Sequence, residues 1–189
     1  CYPDDALYQY IFWLAGNTHS CYDWKPVSTA DYFQFATRYA GFIWDLAAKG
    51  VPDPENWGAI TKGAEHLWMP GRYVTLRTLA DGRAQLIVHL INSPVAGTKV
   101  KRKGLRMPGT ETLNVNPTCA LPPPRTDITL SLHPPKYRVE RVWSMTAEPV
   151  LAQESLPIAT TAAGAEVTVK KLRFWTMLVA ALAPGEARP

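Results

Sequence analysis

Residues 73–92, with the sequence YVTLRTLADGRAQLIVHLIN, alternate between apolar and polar side chains. The apolar residues recur with the two-residue period of β-strands on both sides of an Asp81-Gly82 turn signal. They are Val74 and Leu76 before the turn and Leu86, Val88 and Leu90 after it. The pattern predicts a β-hairpin. Ile87 and Ile91 make the other face of the second strand apolar as well, which predicts a central strand covered on both sides.

The length of the turn decides which residues of the hairpin face each other. A two-residue loop would pair Leu76 with Ile87, whereas a three-residue loop over residues 80–82 pairs Leu76 with Leu86. Only the second register places both apolar stripes on one face, because a slip of one residue turns every side chain to the other face. It also puts Gly82 at the left-handed position that follows a type I turn. We therefore predict the three-residue loop.

Short alternating stretches continue from the hairpin to the end of the chain. They predict strands near residues 128–132, 137–145, 150–154 and 167–182, the last including the apolar run 172–182. The long Pro-rich segment 93–126 is predicted to contain one strand near 109–115, since structureless loops of that length are uncommon. Several short strands without helical periodicity predict an antiparallel β-sandwich over about residues 70–183, in a domain that spans 70–189.

Helical periodicity is confined to the first fifty residues. It predicts one helix over residues 4–14, after a capping Asp, and a second from Ser28 to Lys49, with a short strand over residues 18–23 between them. The second helix carries two apolar stripes. One consists of Tyr32, Phe35, Ala36, Tyr39, Ile43 and Leu46, and the other of Phe33, Ala40, Trp44 and Ala47. A helix with two apolar stripes is expected to be buried on two sides.

The order helix, strand, long helix is the repeating unit of a (β/α)8 barrel. Two helices and one strand cannot bury each other's apolar surface within about 50 residues. We therefore predict that residues 1–50 are the terminal part of a (β/α)8 barrel domain, ending with its eighth helix. Residues 51–69 contain Pro52, Pro54 and Gly58 and are predicted to be a linker. The fold class is mixed, with this α/β segment preceding a β-sandwich.

Composition limits the classes of function and partner. The net charge of the 189 residues is +4, and basic residues cluster at 99–106. No aromatic side chain separates these charges, so we predict a solvated loop and no nucleic-acid partner. No apolar run reaches about 18 residues, so no membrane span is predicted.

The three cysteines, Cys1, Cys21 and Cys119, do not have metal-site spacing. His19 and Cys21 could both face a metal from one side of a strand. A buried thiol beside a polar histidine is the favoured interpretation, and no metal or cofactor is predicted. One disulfide, whose pair the sequence leaves open, would suit an exported or extracellular protein. The chain begins with Cys rather than Met and lacks a signal-peptide pattern, so we expect a processed product or a fragment.

The stretches ALYQYIFWLAGNTHSCYDW and DYFQFATRYAGFIWDL resemble the last barrel units of glycoside hydrolase family 66. The segment VHLIN in the hairpin resembles a strand common in the sandwich domains of such enzymes. The family contains dextranases and cycloisomaltooligosaccharide glucanotransferases. The resemblance covers roughly residues 4–92 and implies an α-glucan-active enzyme in which a β-sandwich follows the barrel.

The resemblance places both catalytic carboxylates on earlier barrel strands, outside these 189 residues, so no residue is assigned as catalytic. The carboxyl end of a barrel strand faces the active site. After the predicted eighth strand, this rule selects four candidate substrate-binding residues, which are His19, Tyr22, Asp23 and Trp24. An indole can stack on a sugar ring, and a carboxylate accepts hydrogen bonds from its hydroxyls. The alternative is that Trp24 packs beneath the loop and His19 satisfies a polar group in the core.

Two classes of function follow from these patterns. In the first, the chain is the C-terminal part of a glycoside hydrolase acting on an α-glucan, with the sandwich as an accessory domain. Its partners would be an oligosaccharide or polysaccharide substrate and the remainder of the barrel, or another chain, covering residues 1–50. In the second, the chain is a non-catalytic sandwich module that binds a glycan or a partner protein. Exposure of Trp143 and Trp175 would favour the second class, although their positions in alternating strands favour a role in the core.

Overall fold

The computed structural model of the protein describes residues 11, 14–15, 30–63, 67–68, 74–92, 99–101, 112–114, 123–162 and 164–185. These residues include two helices with defined ends, a short 3-10 helix and thirteen strands, and residues 11 and 14–15 are also helical. The helices are α1 (Ala30–Arg38) and α2 (Ala40–Ile43), and the 3-10 helix is Pro54–Asn56. The strands are β1 (Lys49–Gly50), β2 (Gly58–Lys62), β3 (Leu67–Trp68), β4 (Val74–Thr78), β5 (Ala84–Asn92), β6 (Lys99–Lys101), β7 (Thr112–Asn114), β8 (Arg125–Leu132), β9 (Tyr137–Thr146), β10 (Ala152–Leu156), β11 (Ala159–Thr161), β12 (Gly164–Leu172) and β13 (Trp175–Pro184).

The strands are arranged in two main sheets. Sheet A has the order β1-β4-β5-β13-β9-β10, with β3 also paired to β5, and sheet B has the order β11-β12-β8-β2. Strands β6 and β7 form a separate two-stranded ribbon. All pairings between the described strands are antiparallel. The antiparallel sandwich predicted from the alternating pattern is therefore confirmed.

The central hairpin has the predicted register. Leu76 faces Leu86 across β4 and β5. The loop is closed by the Leu79 N–H, which donates to the Arg83 carbonyl at 2.8 Å. Gly82 has a φ of +79°, a left-handed conformation that glycine adopts at little cost. Both the three-residue loop and its glycine are confirmed.

Sheet A is apolar on both faces and separates two hydrophobic clusters. On one face, β5 contributes Leu86, Val88 and Leu90 to the cluster enclosed between sheets A and B. On the other face, Ile87 and Ile91 join a cluster that includes the helical residues. The molecule therefore has three layers, with the helices, sheet A and sheet B in that order. Strand β5 is central and covered on both sides, as its sequence predicts.

The helical layer packs one of its two predicted apolar stripes on sheet A. Tyr32, Phe35, Ala36, Tyr39 and Ile43 are buried there, together with Ile11, Leu14 and Ala15, which are also helical. Phe33, on the other stripe, is 52% exposed. The second stripe is therefore only partly packed within the described residues, since Phe33 is exposed whereas Trp44 packs against the same cluster. The predicted barrel strand over residues 18–23 lies outside the described residues, and the barrel segment stays a prediction.

The long helix ends earlier than predicted. Helix α2 stops at Ile43, and Lys49 and Gly50 pair with Leu76 and Thr75 of β4 instead of continuing the helix. Asp45 stabilises this change of direction, because its carboxylate accepts the Ala47 N–H at 2.8 Å and pairs with Arg77 Nε at 2.6 Å. As a consequence, Leu46 is 93% exposed rather than part of a buried stripe.

The stretch predicted as a linker contributes to the sandwich, which corrects its predicted boundary. Strand β2 pairs with β8 at the edge of sheet B. Trp57 is buried in the cluster between the sheets, and Ile60 packs against it. Pro52 and Pro54 lie before β2 and therefore do not interrupt its pairing with β8. Sheet B therefore begins at Gly58, before the predicted start of the sandwich near residue 70.

Most of the other predicted strands are present with shifted ends, but the predicted stretch 167–182 is divided between β12 in sheet B and β13 in sheet A. Strand β7 lies within the predicted 109–115 segment, and its partner β6 occupies part of the basic cluster that we predicted as a loop. Strand β10 begins two residues after the predicted start at Val150. The short strand β11 was not predicted. It turns into β12 at Gly164, whose φ is +150° and where an added Cβ would lie 2.2 Å from the Leu132 carbonyl oxygen.

Replacement of Phe35 by Ala should test the attachment of the helices to sheet A. The Phe35 ring is fully buried, with its centroid 4.6 Å from that of Trp175 and 4.9 Å from that of Tyr39. We expect Phe35→Ala to lower the free energy of unfolding by about 3–5 kcal/mol in urea titrations. Phe33→Ala, on the exposed side of the same helix, is the matched control and should cost less than about 1 kcal/mol. Equal losses in the two variants would contradict the observed packing.

Candidate functional site

The four substrate-binding residues predicted from the sequence, His19, Tyr22, Asp23 and Trp24, lie outside the described residues. The predicted barrel rim therefore remains a prediction. In the described part of the chain, no three or more His, Cys, Asp or Glu side chains are placed to hold a metal ion. The same residues include no helix that is long and apolar enough to cross a membrane.

A cleft of about 950 Å³ lies between the two sheets, where β9 and β10 of sheet A approach β12 of sheet B. Its walls include five hydroxyl side chains, namely Ser144, Thr146, Ser155, Thr168 and Thr176. They also include charged side chains of both signs and several prolines. Its volume falls within the range of known small-molecule sites. We call this feature the intersheet cleft.

Strand alternation explains how hydroxyl side chains come to line the intersheet cleft. Val142 on β9 and Leu178 on β13 belong to the cluster between the sheets. Ser144 lies two residues after Val142 on the same face of β9, and Thr176 lies two residues before Leu178 on the same face of β13. Both line the cleft. Thr146 pairs directly with Thr176 across the two strands. The apolar core therefore ends where hydroxyl side chains replace aliphatic ones on the inward face.

Glu148 is the most unusual residue of the cleft. It directly follows β9, and its N–H donates to Thr146 Oγ1 at 3.1 Å. Its carboxylate Oε2 accepts the Phe174 N–H at 2.9 Å. The other oxygen, Oε1, is buried and has no hydrogen-bond partner of good geometry among the described residues. A buried carboxylate oxygen without a partner carries a desolvation cost, and a donor that reaches it would recover that cost.

The electrostatic environment of Glu148 follows from its burial. Burial raises the pKa of Glu148 to about 7, against the opposing effects of the Phe174 N–H, the positive charge on Arg173 and the Trp175 N–H. Arg173 itself lies over the Phe174 ring, with its guanidinium carbon 4.9 Å from the ring centroid. At neutral pH the Glu148 carboxyl therefore exists in both its neutral and its charged form.

On the opposite face of sheet A, His89 and Trp175 form a closed pair. Trp175 Nε1 donates to His89 Nδ1 at 3.2 Å, and the two rings stack with centroids 5.6 Å apart. Burial lowers the pKa of His89 to about 3, so the imidazole is neutral at physiological pH. Trp175 is buried, and Trp143 packs half-buried against the same cluster. The predicted role of both tryptophans in the core is confirmed, and this pair has a structural role.

Asn92, the last residue of the VHLIN segment, connects two loops at the end of the sandwich. Its Nδ2 donates to the Pro123 carbonyl at 2.9 Å and to the Arg173 carbonyl at 2.7 Å. Its backbone N–H donates to the Phe174 carbonyl. Pro123, Arg173 and Phe174 all line the intersheet cleft, so Asn92 holds one wall of it in place. This segment therefore has a structural role behind the cleft.

The sequence analysis did not select Glu148. Its local sequence, TAEPV, is typical of an ordinary turn after a strand. The contacts that distinguish it come from residues 174 and 173, on the loop before β13. No pattern near residue 148 signals those contacts.

His89 and Glu148 should affect stability in opposite directions as the pH changes. The folded-state pKa of His89 is lowered from 6.5 to about 3, so between these values only the unfolded chain is protonated there and stability falls as pH falls. The folded-state pKa of Glu148 is raised from 4.5 to about 7, so in that window the folded chain keeps a proton and stability falls as pH rises. Each contribution has a slope of about 1.4 kcal/mol per pH unit at most.

The two contributions oppose each other between pH 4.5 and 6.5 and can be separated by substitution. Glu148→Gln should make the free energy of unfolding rise more steeply with pH than in the unaltered protein. His89→Gln keeps an acceptor for Trp175 Nε1. In this variant the free energy of unfolding should fall as the pH rises. Urea titrations at several pH values between about 4 and 7 provide the measurement, because this range contains the interval in which the two effects oppose each other. Two variants with the slope of the unaltered protein would contradict this account.

Comparison with known proteins places the fold among solved structures. No family model matches the sequence, and no curated protein matches it. The structure is similar to part of the cycloisomaltooligosaccharide glucanotransferase of Paenibacillus sp. complexed with cycloisomaltoheptaose, with a TM-score of 0.51 and 14% identity over 79% of this chain. The alpha-L-fucosidase isoenzyme 2 of Paenibacillus thiaminolyticus matches with a TM-score of 0.37 and 19% identity over 71% of this chain. This chain spans 20% of the glucanotransferase and 16% of the fucosidase, so its similarity in fold to the glucanotransferase concerns a small part of that protein.

Proposed function

We propose that this chain is the C-terminal part of a carbohydrate-active enzyme, a glycoside hydrolase that acts on an α-glucan, with the sandwich as an accessory domain. The observation that supports the proposal is the likeness of fold to part of the cycloisomaltooligosaccharide glucanotransferase, at a TM-score of 0.51 over 79% of this chain. It agrees with the family 66 resemblance of the sequence. An exported location suits an enzyme whose substrate is a polysaccharide.

The helical layer supports the proposal of a larger protein. The helices are attached to the outer face of sheet A through a buried aromatic cluster around Trp175. Phe33 lies on the other side of α1 and is 52% exposed. In the proposed enzyme, this second stripe is the surface that the remainder of the (β/α)8 barrel covers. Burial of an aromatic or aliphatic side chain in that contact contributes about 1.5–3 kcal/mol.

The proposed substrate contacts lie at the end of the barrel segment. Trp24 stacks on a sugar ring, Asp23 accepts hydrogen bonds from sugar hydroxyls, and His19 and Tyr22 complete the rim. The catalytic carboxylates belong to earlier barrel strands in this proposal. This chain therefore supplies binding groups and a scaffold, and the earlier part of the enzyme supplies the chemistry.

The coding sequence upstream of residue 1 and an assay of dextran hydrolysis test the proposal together. We expect the reading frame to continue upstream for roughly 300 residues of strand–helix repeats, within the size range of (β/α)8 barrels. We expect the longer product to hydrolyse dextran and the 189-residue chain to show no turnover. The longer product in which Trp24 is replaced by Ala should lose substrate affinity, seen as a raised KM.

Either of two results would overturn the proposal. One is an upstream reading frame without strand–helix repeats. The other is turnover of dextran by the 189-residue chain that persists through purification, which would move the chemistry to this chain and to Asp23 first.

A further inference from the structure

A second opening lies at the edge of sheet A that is opposite the intersheet cleft. It has a volume of about 360 Å³, and its lining includes Lys49 and Gly50 of β1 and Leu76 and Thr78 of β4. The lining also includes Val51 and Trp57, which belong to the cluster between the sheets, and Leu76 packs against that cluster. The opening is therefore a gap in the side of the sandwich. We call it the edge pocket.

Leu46 stands beside the edge pocket on a turn that three contacts fix. The Ala48 N–H donates to the Asp45 carbonyl at 3.0 Å, the Ala47 N–H donates to Asp45 Oδ1 at 2.8 Å, and Arg77 Nε pairs with Asp45 Oδ2 at 2.6 Å. Leu46 is 93% exposed, more than any other large hydrophobic side chain that the structure describes. Ala47, the next residue, lines the pocket. Because the turn is already ordered, covering Leu46 carries little further cost in backbone entropy.

Charged side chains of both signs surround the edge pocket. Lys49 lines it. Asp53 directly precedes the 3-10 helix, and Glu55 lies within it, between the lining residues Pro52 and Trp57. The three charged side chains are exposed, and none of them forms an ion pair with another described residue. A partner for this surface must therefore present both an anion and a cation.

A second copy of this chain meets the requirements of shape and of charge together. A twofold axis brings one surface patch against the same patch of the other copy. Each copy carries an exposed leucine and, beside it, a pocket that is larger than a leucine side chain. Each also carries Lys49 on one side of the pocket and Glu55 on another. A strongly acidic or strongly basic partner would match one of these charges and be repelled by the other.

We propose that this chain forms a twofold dimer in which Leu46 of each copy enters the edge pocket of the other. In this dimer Lys49 of one copy faces Glu55 of the other. The contact uses the edge formed by β1 and β4 and leaves the intersheet cleft, at the β10 edge of the same sheet, uncovered. The inference does not rest on the proposed function.

Sedimentation equilibrium of the 189-residue chain over a range of concentrations tests the dimer. We expect the mass to rise from one copy to two and no further, because a twofold contact closes on itself. Leu46→Ala should weaken association by at least about a hundredfold, since each dimer buries this side chain twice. Val150→Ala is the matched control. It truncates another exposed aliphatic side chain, beside β10, and should leave association unchanged.

Reversal of the charges tests the orientation of the two copies. Lys49→Glu and Glu55→Lys should each weaken association several-fold at low ionic strength, because each places like charges opposite one another. The variant that carries both changes should recover the association of the unaltered chain. Recovery distinguishes a contact between copies from loss of folding, and circular dichroism of each variant establishes that it is folded. Added salt should reduce the effect of each single reversal.

Several results would overturn the proposal. They are an unaltered chain that stays monomeric at millimolar concentration, a Leu46→Ala variant that associates like the unaltered chain, and a combined reversal without recovery. Masses beyond two copies would overturn the closed twofold contact. A longer product that stays monomeric while the 189-residue chain dimerises would assign the patch to the remainder of the barrel and overturn the choice of a second copy. Dextran hydrolysis enters none of these outcomes, so failure of the dimer and failure of the proposed function are distinguishable.

Discussion

Sheet A has to be covered on both faces, and most of the architecture follows from that requirement. Strands β5 and β13 place large aliphatic side chains on both of their surfaces, and none of these can face water without the loss of about 1.5–3 kcal/mol each. Sheet B covers one face. The helices cover the other through Tyr32 and Phe35, which meet Trp175 in the centre of the sheet. The helices therefore form a layer packed on sheet A of the sandwich.

The same central sheet determines where polar groups can be placed. Toward one end of β9 and β13, the inward-facing side chains change from aliphatic to hydroxyl-bearing, and the space between the sheets becomes the intersheet cleft. On the outer face, His89 is accepted in the core because Trp175 Nε1 donates to it and because it stays neutral. Glu148 is only partly satisfied, since one of its oxygens is bound and the other is not. A satisfied buried polar group is tolerated in the core, whereas an incompletely satisfied one carries a desolvation cost.

The two buried ionisable groups also relate structure to solution conditions. His89 disfavours acid, because only the unfolded chain can protonate it in the mildly acidic range. Glu148 lowers the stability of the folded chain as the pH rises, because burial favours its neutral form. The pH range of this effect overlaps that of His89. Their opposition flattens the pH dependence of stability in the overlapping window. It arises from two residues on opposite faces of one sheet, without any contact between them.

The sequence by itself determined the features that local periodicity controls. The two-residue alternation around Asp81-Gly82 identified the central hairpin, and the geometry of a three-residue turn fixed its register to the residue. The apolar stripe of α1 correctly identified its buried face. Only the tertiary structure decided where the long helix ends, because Lys49 and Gly50 are drawn into pairing with β4. It likewise decided the surroundings of the half-buried Glu148, since the Phe174 N–H that donates to its carboxylate lies 26 residues away along the chain. Periodicity reports the neighbours of a residue along the chain, whereas these features depend on groups that only the packing of distant segments brings together.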